Sequence, residues 1–157
     1  MTCESDLRIA MRRFPAGVAV VTVALDAQRV GLTVSAVTSL SLDPPLVSVA
    51  ISRQAAMHEL LAESQSFSLS LLSGDQVGLA QHFARGVPPI AMWEGIELHR
   101  SDGPPLLSGA SAWLDCALVN EFSTGDHTLF VGGVTRTELG RSSGGALAYV
   151  EQEYVVV

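Results

Sequence analysis

The chain contains no lysine, so its nine basic residues are all arginines, and sixteen acidic residues give it a formal net charge of −7. No basic stretch extends beyond Arg12-Arg13. Proteins that bind nucleic acid neutralise its phosphates with clustered lysine and arginine, and that cluster is missing here. The charge pattern therefore argues against nucleic-acid binding.

Cysteine is scarce, and the four histidines are scattered. Cys3 and Cys116 stand far apart, without the CxxC spacing of a metal or redox motif, and no two histidines show HxH or HxxxH spacing. We expect no metal site. We expect both thiols to be free, as is typical of a reducing cytosol.

Long hydrophobic runs are absent as well. No segment reaches the roughly 18 to 20 apolar residues that span a bilayer. The first residues, MTCESDLRIAMRRF, mix acids and bases before any apolar run, unlike a secretory signal. These features predict a cytoplasmic protein without a membrane anchor.

The common catalytic motifs are missing too. There is no GxGxxG after a strand and no GxxxxGK[ST], and the segment 109–113 (GASAW) lacks the second glycine of a nucleophile elbow. If the chain is an enzyme, we expect a bound cofactor to carry the chemistry.

Apolar residues are what the chain has in excess: 48% of it is hydrophobic and only 16% is charged. A monomer with so few charges would leave apolar surface in water, so composition predicts an oligomer. The length of 157 residues, without internal repeats or linkers, predicts one domain over 1–157.

Short strands alternate with short helices along the chain. Helices are predicted at 4–13, 54–63 and 75–84, and strands at 18–25, 30–42, 46–51, 67–72, 96–100, 111–122, 128–137, 146–150 and 154–156. The region 85–109 is punctuated by glycine and proline and is predicted to be mostly loop. Many short strands with few helices indicate a mainly β fold, an antiparallel barrel.

The run 31–46, GLTVSAVTSLSLDPPL, carries no charge from Val30 to Leu42. Read as one strand ended by Pro44-Pro45, it has two faces, interrupted only at Val37 and Thr38. One face is apolar (Leu32, Val34, Ala36, Leu40, Leu42) and the other carries hydroxyls (Thr33, Ser35, Ser39, Ser41). The hydroxyl face suits close approach by a ligand ring or another subunit. A serine-rich outer face without a ligand is the alternative.

Three polar side chains are candidates for binding. His127 follows Gly125 and Asp126 at the tip of a predicted hairpin, where a ligand can reach it. Arg53 begins the helix 54–63, and a helix N-terminus beside an arginine suits a phosphate; Arg85, after the next helix, is a similar candidate. The alternatives are a solvated loop histidine and two surface arginines.

Three long segments, in order, resemble the short-chain flavin reductases. They are 14–22 (FPAGVAVVT), 33–46 (TVSAVTSLSLDPPL) and 125–132 (GDHTLFVG). Shorter pieces at 105–107 and 114–116 fall where that family has similar ones, so the resemblance covers about 7–154. It implies an FMN-binding split β-barrel with a Greek-key core, a homodimer, and flavin in a groove near the subunit boundary. It also implies hydride transfer from NADH or NADPH to FMN or FAD, and reduced flavin passed to a separate monooxygenase.

The resemblance assigns roles to residues. Thr33, Ser35, Ser39 and Ser41, with the backbone at Val34 and Ala36, would contact the flavin. Ser52, Arg53 and Arg85 would contact its phosphate, and Phe83-Ala84-Arg85 resembles the family's Phe-Ala-Arg segment. His127 would line the nicotinamide side as the catalytic residue, and Phe83, Asp126 and His127 are also expected to bind the cofactor. Tyr149 is either a ligand contact or a packing residue.

Three departures from the family pattern concern flavin retention. Met57 replaces a threonine that helps hold the phosphate, Ser70 replaces an asparagine, and Ala146-Leu147 replaces Pro-Leu. Weaker retention would suit flavin used as a diffusible substrate. Two alternatives are a tight flavoprotein of the same fold, acting in electron transfer or oxygenation, and a non-catalytic flavin-binding dimer.

Overall fold

The computed structural model describes residues 2–85, 88, 90–141 and 143–157. Within them the chain is mainly β, as predicted. Three helices and twelve strands follow one another as α1 (Cys3–Arg12), β1 (Ala16–Gly17), β2 (Ala19–Leu25), β3 (Gln28–Val34), β4 (Val37–Leu42), β5 (Pro45–Ser52), α2 (Ala56–Ser64), β6 (Ser66–Leu71), α3 (Val77–Ala84), β7 (Leu98–Arg100), β8 (Leu106–Leu107), β9 (Ala112–Thr124), β10 (His127–Leu139), β11 (Leu147–Val150) and β12 (Glu153–Val156).

A seven-stranded antiparallel sheet in the order β3-β2-β6-β9-β10-β5-β4 forms the body of the molecule. The hairpins β2–β3, β4–β5 and β9–β10 follow from short turns between runs rich in β-branched residues. Strands β3 and β4 are the two edges, so hydrogen bonding between the described strands does not close the sheet into a ring. A smaller sheet, β1-β11-β12, and a two-stranded one, β7-β8, lie beside it.

The prediction of one strand over 30–42 is wrong. The alternation continues through the sequence, but the chain bends at Ser35-Ala36 and leaves β2 to join β5. Strands β3 and β4 therefore lie at opposite edges of the sheet. The hydroxyls of Thr33 and Ser35 cannot form one continuous strand face with those of Ser39 and Ser41. The predicted apolar face is divided as well, because Leu42 is 88% exposed. Pro45 begins β5 rather than ending the strand before it.

The hydrophobic core lies between this sheet and the two short helices that follow β5 and β6. Met57 and Leu61 are the buried residues of α2, and Ala80 and Phe83 are those of α3. Gly132 of β10 permits close packing here, since a Cβ at this position would lie 2.5 Å from the ring of the buried Phe67. The helices are near their predicted positions because their apolar spacing reflects this packing.

Both cysteines carry free thiols, as predicted. Cys3 is exposed, whereas Cys116 is buried in β9, and burial raises the pKa of its thiol to about 12. The described part of the region 85–109 holds two short strands instead of the one predicted. Gly86, Val87 and Pro89, part of the loop predicted there, lie outside the described residues.

Helix α1 differs from the other two because none of its residues is buried. Its N-cap is Thr2, whose side chain accepts a hydrogen bond from the Ser5 backbone N–H. At its C-terminal end the Glu151 backbone N–H donates to the Arg12 carbonyl at 2.7 Å. None of the helices in the described part of the chain is long and apolar enough to traverse a bilayer.

Candidate functional site

The tip of the β9–β10 hairpin is a two-residue turn, Gly125-Asp126, which is shorter than the predicted loop 123–127. Gly125 has φ +68°, a left-handed conformation that glycine adopts without strain. The turn makes His127 the first residue of β10, and its side chain is 43% exposed. Its Nδ1 lies 2.7 Å from Asp126 Oδ1, and this hydrogen bond lowers the pKa of Asp126. The carboxylate therefore favours a ring orientation in which Nε2 faces away from it.

Ser52 and Arg53 lie directly beside this histidine. Ser52, the last residue of β5, is the register partner of His127, so both side chains leave the sheet on the same face. The Arg53 backbone N–H donates to the Asp126 carbonyl at 3.0 Å, and the positive charge of Arg53 also contributes to lowering the pKa of Asp126. Pairing of β5 with β10 thus brings together two pairs of neighbouring residues, Ser52-Arg53 and Asp126-His127, that are far apart in the sequence.

The turn after Ser52 leads into α2 and leaves the start of that helix open. The Ala55 N–H donates to the Ser52 carbonyl, and the Gln54 N–H lies 3.3 Å from Ser52 Oγ. Ala55 is the N-cap and its side chain makes no capping bond, so this residue leaves the first N–H groups of α2 uncapped; Glu59 is the acidic residue of the first turn. Met57 does not take part, because its side chain is buried in the core.

The segment Thr33–Ala36 forms a second group of predicted residues. Thr33 Oγ1 donates to the Ala80 carbonyl of α3 at 2.7 Å, so this hydroxyl proton is used within the protein. Val34 is buried in β3, whereas Ser35 and Ala36 are exposed. The Ala36 carbonyl accepts a hydrogen bond from the Ala50 N–H of β5, two residues before Ser52. This bond joins the segment to the His127 and Ser52 group.

The remaining predicted residues lie in different parts of the fold. Arg85 is exposed just after α3, next to Ala84. Phe83 is buried and contacts Gly31 and the Trp93 ring, whose centroid is 5.3 Å away. Ser39 and Ser41 pair with Val47 and Leu46.

Strand geometry separates these two serines from His127. Their partners lie five and six residues before Ser52, which at about 3.3 Å per residue amounts to roughly 17 to 20 Å along β5. The structure does not bring Ser39 and Ser41 to the hairpin tip.

Two adjoining cavities lie beside the Ser35 turn. One, of about 600 Å³, lies between α1 and residues 35–38. The other, of about 200 Å³, has Thr33, Ala84 and Tyr154 in its wall. Ser35 and Tyr149 line both, so the two cavities form one groove. Tyr149 also packs on Tyr154, with ring centroids 5.0 Å apart, and burial raises the pKa of the Tyr154 phenol.

Helix α1 contributes to this groove, which was not predicted from the sequence. Arg8, Met11, Arg12 and Phe14 line it. A signal was present in Phe14 and the neighbouring arginines, but the sequence does not say where a short helix lies relative to a turn 20 residues later. Among the described residues no group of three or more histidine, cysteine, aspartate or glutamate side chains is arranged to hold a metal ion.

Comparison with known proteins identifies the family of the chain. Residues 11–157 match the family described as "Flavin reductase like domain". The chain is 37% identical over 155 residues to the NADH:FMN oxidoreductase of Rhodococcus erythropolis, covering 97% of this chain and 81% of that protein. It is 39% identical over 145 residues to the reductase component of 4-hydroxyphenylacetate 3-monooxygenase from Thermus thermophilus, covering 92% and 91%. The solved structure of the Streptomyces globisporus C-1027 NADH:FAD oxidoreductase SgcE6 has a TM-score of 0.92 at 31% identity, over 99% of this chain and 94% of that one. The chain belongs to the flavin reductase-like family.

Proposed function

We propose that this protein is an oxidoreductase that transfers a hydride from NADH to FMN or FAD. Family membership and the names of the relatives, which include NADH:FMN and NADH:FAD oxidoreductases, support the activity. The observation that carries the assignment to this site is the pairing of His127 with Ser52, with the Arg53 N–H bonded to the Asp126 carbonyl. A phosphate-binding turn and an exposed histidine then share one face of the sheet.

The residues of the turn fit a flavin phosphate. The open N-terminus of α2, the Ser52 hydroxyl and the Arg53 guanidinium supply hydrogen-bond donors and positive charge, and a phosphate prefers both. Arg85 is a second candidate for this contact. Ser35 and the backbone at Val34 and Ala36 are candidates for the flavin ring and ribityl chain.

The chemistry of hydride acceptance belongs to the flavin ring when it is bound. The protein contributes position. His127, oriented by Asp126, holds the nicotinamide side of the site, and the Ser52 turn anchors the flavin, so the two reactants meet in one orientation. No side chain needs to act as an acid or a base for this step.

The flavin is proposed to be a diffusible substrate, with its reduced form passed to a separate oxygenase. Two observations support this. A relative named as the reductase component of a monooxygenase matches 92% of the chain. The groove beside the Ser35 turn is open to solvent, as a substrate that leaves after each turnover requires.

A homodimer with the split barrel of the family is also proposed. Leu40 and Leu42 lie exposed on the edge strand β4, and Val119 and Phe122 lie exposed near the hairpin end of β9. A second subunit covering these side chains would remove apolar surface from water. Light scattering should give twice the chain mass, and Leu42→Asp should shift it toward one chain mass, whereas Leu139→Asp at the far end of β10 should not.

The cytoplasmic location stays a prediction.

The experiment that tests the activity is NADH and NADPH oxidation at 340 nm with FMN or FAD in large excess. Many turnovers of flavin per protein would establish a reductase that uses flavin as a substrate. A folded protein that oxidises neither nucleotide with either flavin would refute the proposal.

A further inference from the structure

The groove beside α1 extends beyond the residues that are candidates for flavin contact. It measures about 600 Å³ and begins at Ser35 and Ala36, which are already candidates for flavin contact. From there it extends to the exposed helix α1. A volume of this size lies within the usual range for a small-molecule site, so the groove can hold a further part of a ligand that starts at the Ser35 turn.

Two cations line the outer part of this groove. Arg12 makes no ion pair with any described residue, and Arg8 is paired only with Glu4 of its own helix, at 3.1 Å and with both side chains well exposed. An exposed pair of this kind contributes little and is easily exchanged for a better anion. In a chain with a net charge of −7, two arginines one helical turn apart favour a negatively charged ligand here.

Apolar and aromatic side chains lie next to these cations. Phe14 is 66% exposed and Met11 is 54% exposed, and Tyr149 also lines the groove. A flat heteroaromatic ring would cover these side chains, and cations beside it would hold phosphates attached to it. An adenosine phosphate combines these two chemical features.

Helix α1 is held at its C-terminal end by the Glu151 N–H, which donates to the Arg12 carbonyl, but its side chains are not packed in the core. No residue of α1 is buried, and a ten-residue helix is marginally stable in water without tertiary contacts. A ligand that contacted Arg8, Met11 and Arg12 at once would supply the missing contacts.

We propose that this groove binds the ADP portion of a dinucleotide substrate, with Arg8 and Arg12 contacting its phosphates and Phe14 and Tyr149 contacting its adenine. The inference rests on the proposed function, because NADH and FAD are the two substrates that contain ADP. It adds a subsite on α1 and makes α1 a determinant of preference for dinucleotides over mononucleotides.

The test compares dinucleotides with mononucleotides in Arg12→Ala and in Arg8→Gln/Arg12→Gln. With FMN fixed, the KM for NADH should rise about five- to tenfold if ADP comes from NADH, while the KM for reduced nicotinamide mononucleotide stays constant. If ADP comes from FAD, the Kd for FAD should rise by that factor and the Kd for FMN should not. Arg13→Ala is the matched control, since Arg13 is the next residue, faces Glu151 at 3.9 Å and does not line the groove.

Equal changes for dinucleotide and mononucleotide in both arms, or no change in either, would overturn the proposal. Titration of ADP by calorimetry is the readout that does not need activity: wild type should bind it, and Arg12→Ala should bind it several-fold more weakly. A protein that reduces FMN but binds ADP equally well in both forms would refute the subsite and leave the reductase function intact. A protein that binds ADP as proposed but oxidises no NADH would refute the function instead.

Discussion

Replacing Arg53 with alanine should weaken FMN binding roughly tenfold and leave riboflavin binding nearly unchanged. The two flavins differ only in the phosphate, so the ratio of their dissociation constants isolates the contact under test. Two unit charges about 4 Å apart attract by about 1 kcal/mol in water and about 4 kcal/mol at the effective dielectric of a protein surface. Arg53 is exposed, so its attraction to the phosphate should lie near the lower of these two energies. A loss of about 1.4 kcal/mol of binding free energy raises the Kd tenfold.

The assay is quenching of flavin fluorescence on titration with protein, for FMN and for riboflavin, at low and at moderate salt. Because an exposed ion pair is screened by salt, the FMN preference of the wild type should shrink as ionic strength rises, and that of Arg53→Ala should respond less. Arg136→Ala is the matched control, since Arg136 is also exposed but pairs with Glu138 on β10.

Equal loss of affinity for FMN and riboflavin in Arg53→Ala would refute the reasoning, since the residue would then support the shape of the turn and not the phosphate. Arg85→Ala, measured in the same way, decides whether the second candidate shares the contact. If only Arg85→Ala loses affinity for FMN and keeps its affinity for riboflavin, the phosphate site lies at the C-terminal end of α3 instead.

Three further outcomes are expected. His127→Ala should raise the KM for NADH or lower kcat about tenfold in steady-state kinetics, with flavin affinity nearly unchanged; collapse of flavin binding with intact nicotinamide kinetics would contradict its role. Gly132→Ala should lower the free energy of unfolding by about 2 kcal/mol in urea titrations, because the added Cβ would lie 2.5 Å from the Phe67 ring. An unchanged urea midpoint would contradict this, since the core around Phe67 would then accommodate the methyl group without cost. A hydrogen bond from His99 lowers the pKa of Glu138 below its ordinary value of 4.5, so this stabilisation is present above pH 4.5 and is lost as pH falls through the lower pKa. Glu138→Gln should therefore be less stable than wild type at pH 7, and the difference should narrow at pH 3.

Much of the fold follows from local sequence. The β-branched run that forms β2 and the apolar spacing of α2 and α3 predict these elements within a few residues, because burial of one face or stripe determines both the pattern and the structure. The hairpin β9–β10 follows in the same way from its turn residues.

The local sequence pattern does not predict the structure of the run 30–42. Except at Val37 and Thr38, period-two alternation extends from Leu32 to Leu42, yet the chain changes partners at Ser35-Ala36 and crosses to the other edge of the sheet. Nothing in the pattern encodes which strand is the partner, since β3 and β4 read alike. The irregularity at Val37 and Thr38 was the one local sign of the change.

The site depends on contacts of the same long-range kind. Arg53 and His127 are each identifiable as exposed polar residues, but their adjacency depends on pairing of β5 with β10, which are separated by about 75 residues. The groove wall contributed by α1 depends on where an unpacked helix comes to lie. The resemblance to a family predicted roles for Arg53 and His127, but it predicted none for α1.

The two faces of β10 explain how an exposed histidine can nonetheless be held in place. Thr128 and Phe130 point into the core, and His58 of α2 lies 2.7 Å from Thr128 Oγ1 and packs its ring edge against Phe130. His127 projects from the opposite face of the same strand, next to Ser52. The hydrogen bond between His58 of α2 and Thr128, and the backbone bond from the Arg53 N–H to the Asp126 carbonyl, hold the turn at Ser52 and the hairpin tip together. A site that works by orientation needs such a rigid support, because small displacements between bound reactants cost rate even when every contact residue is present.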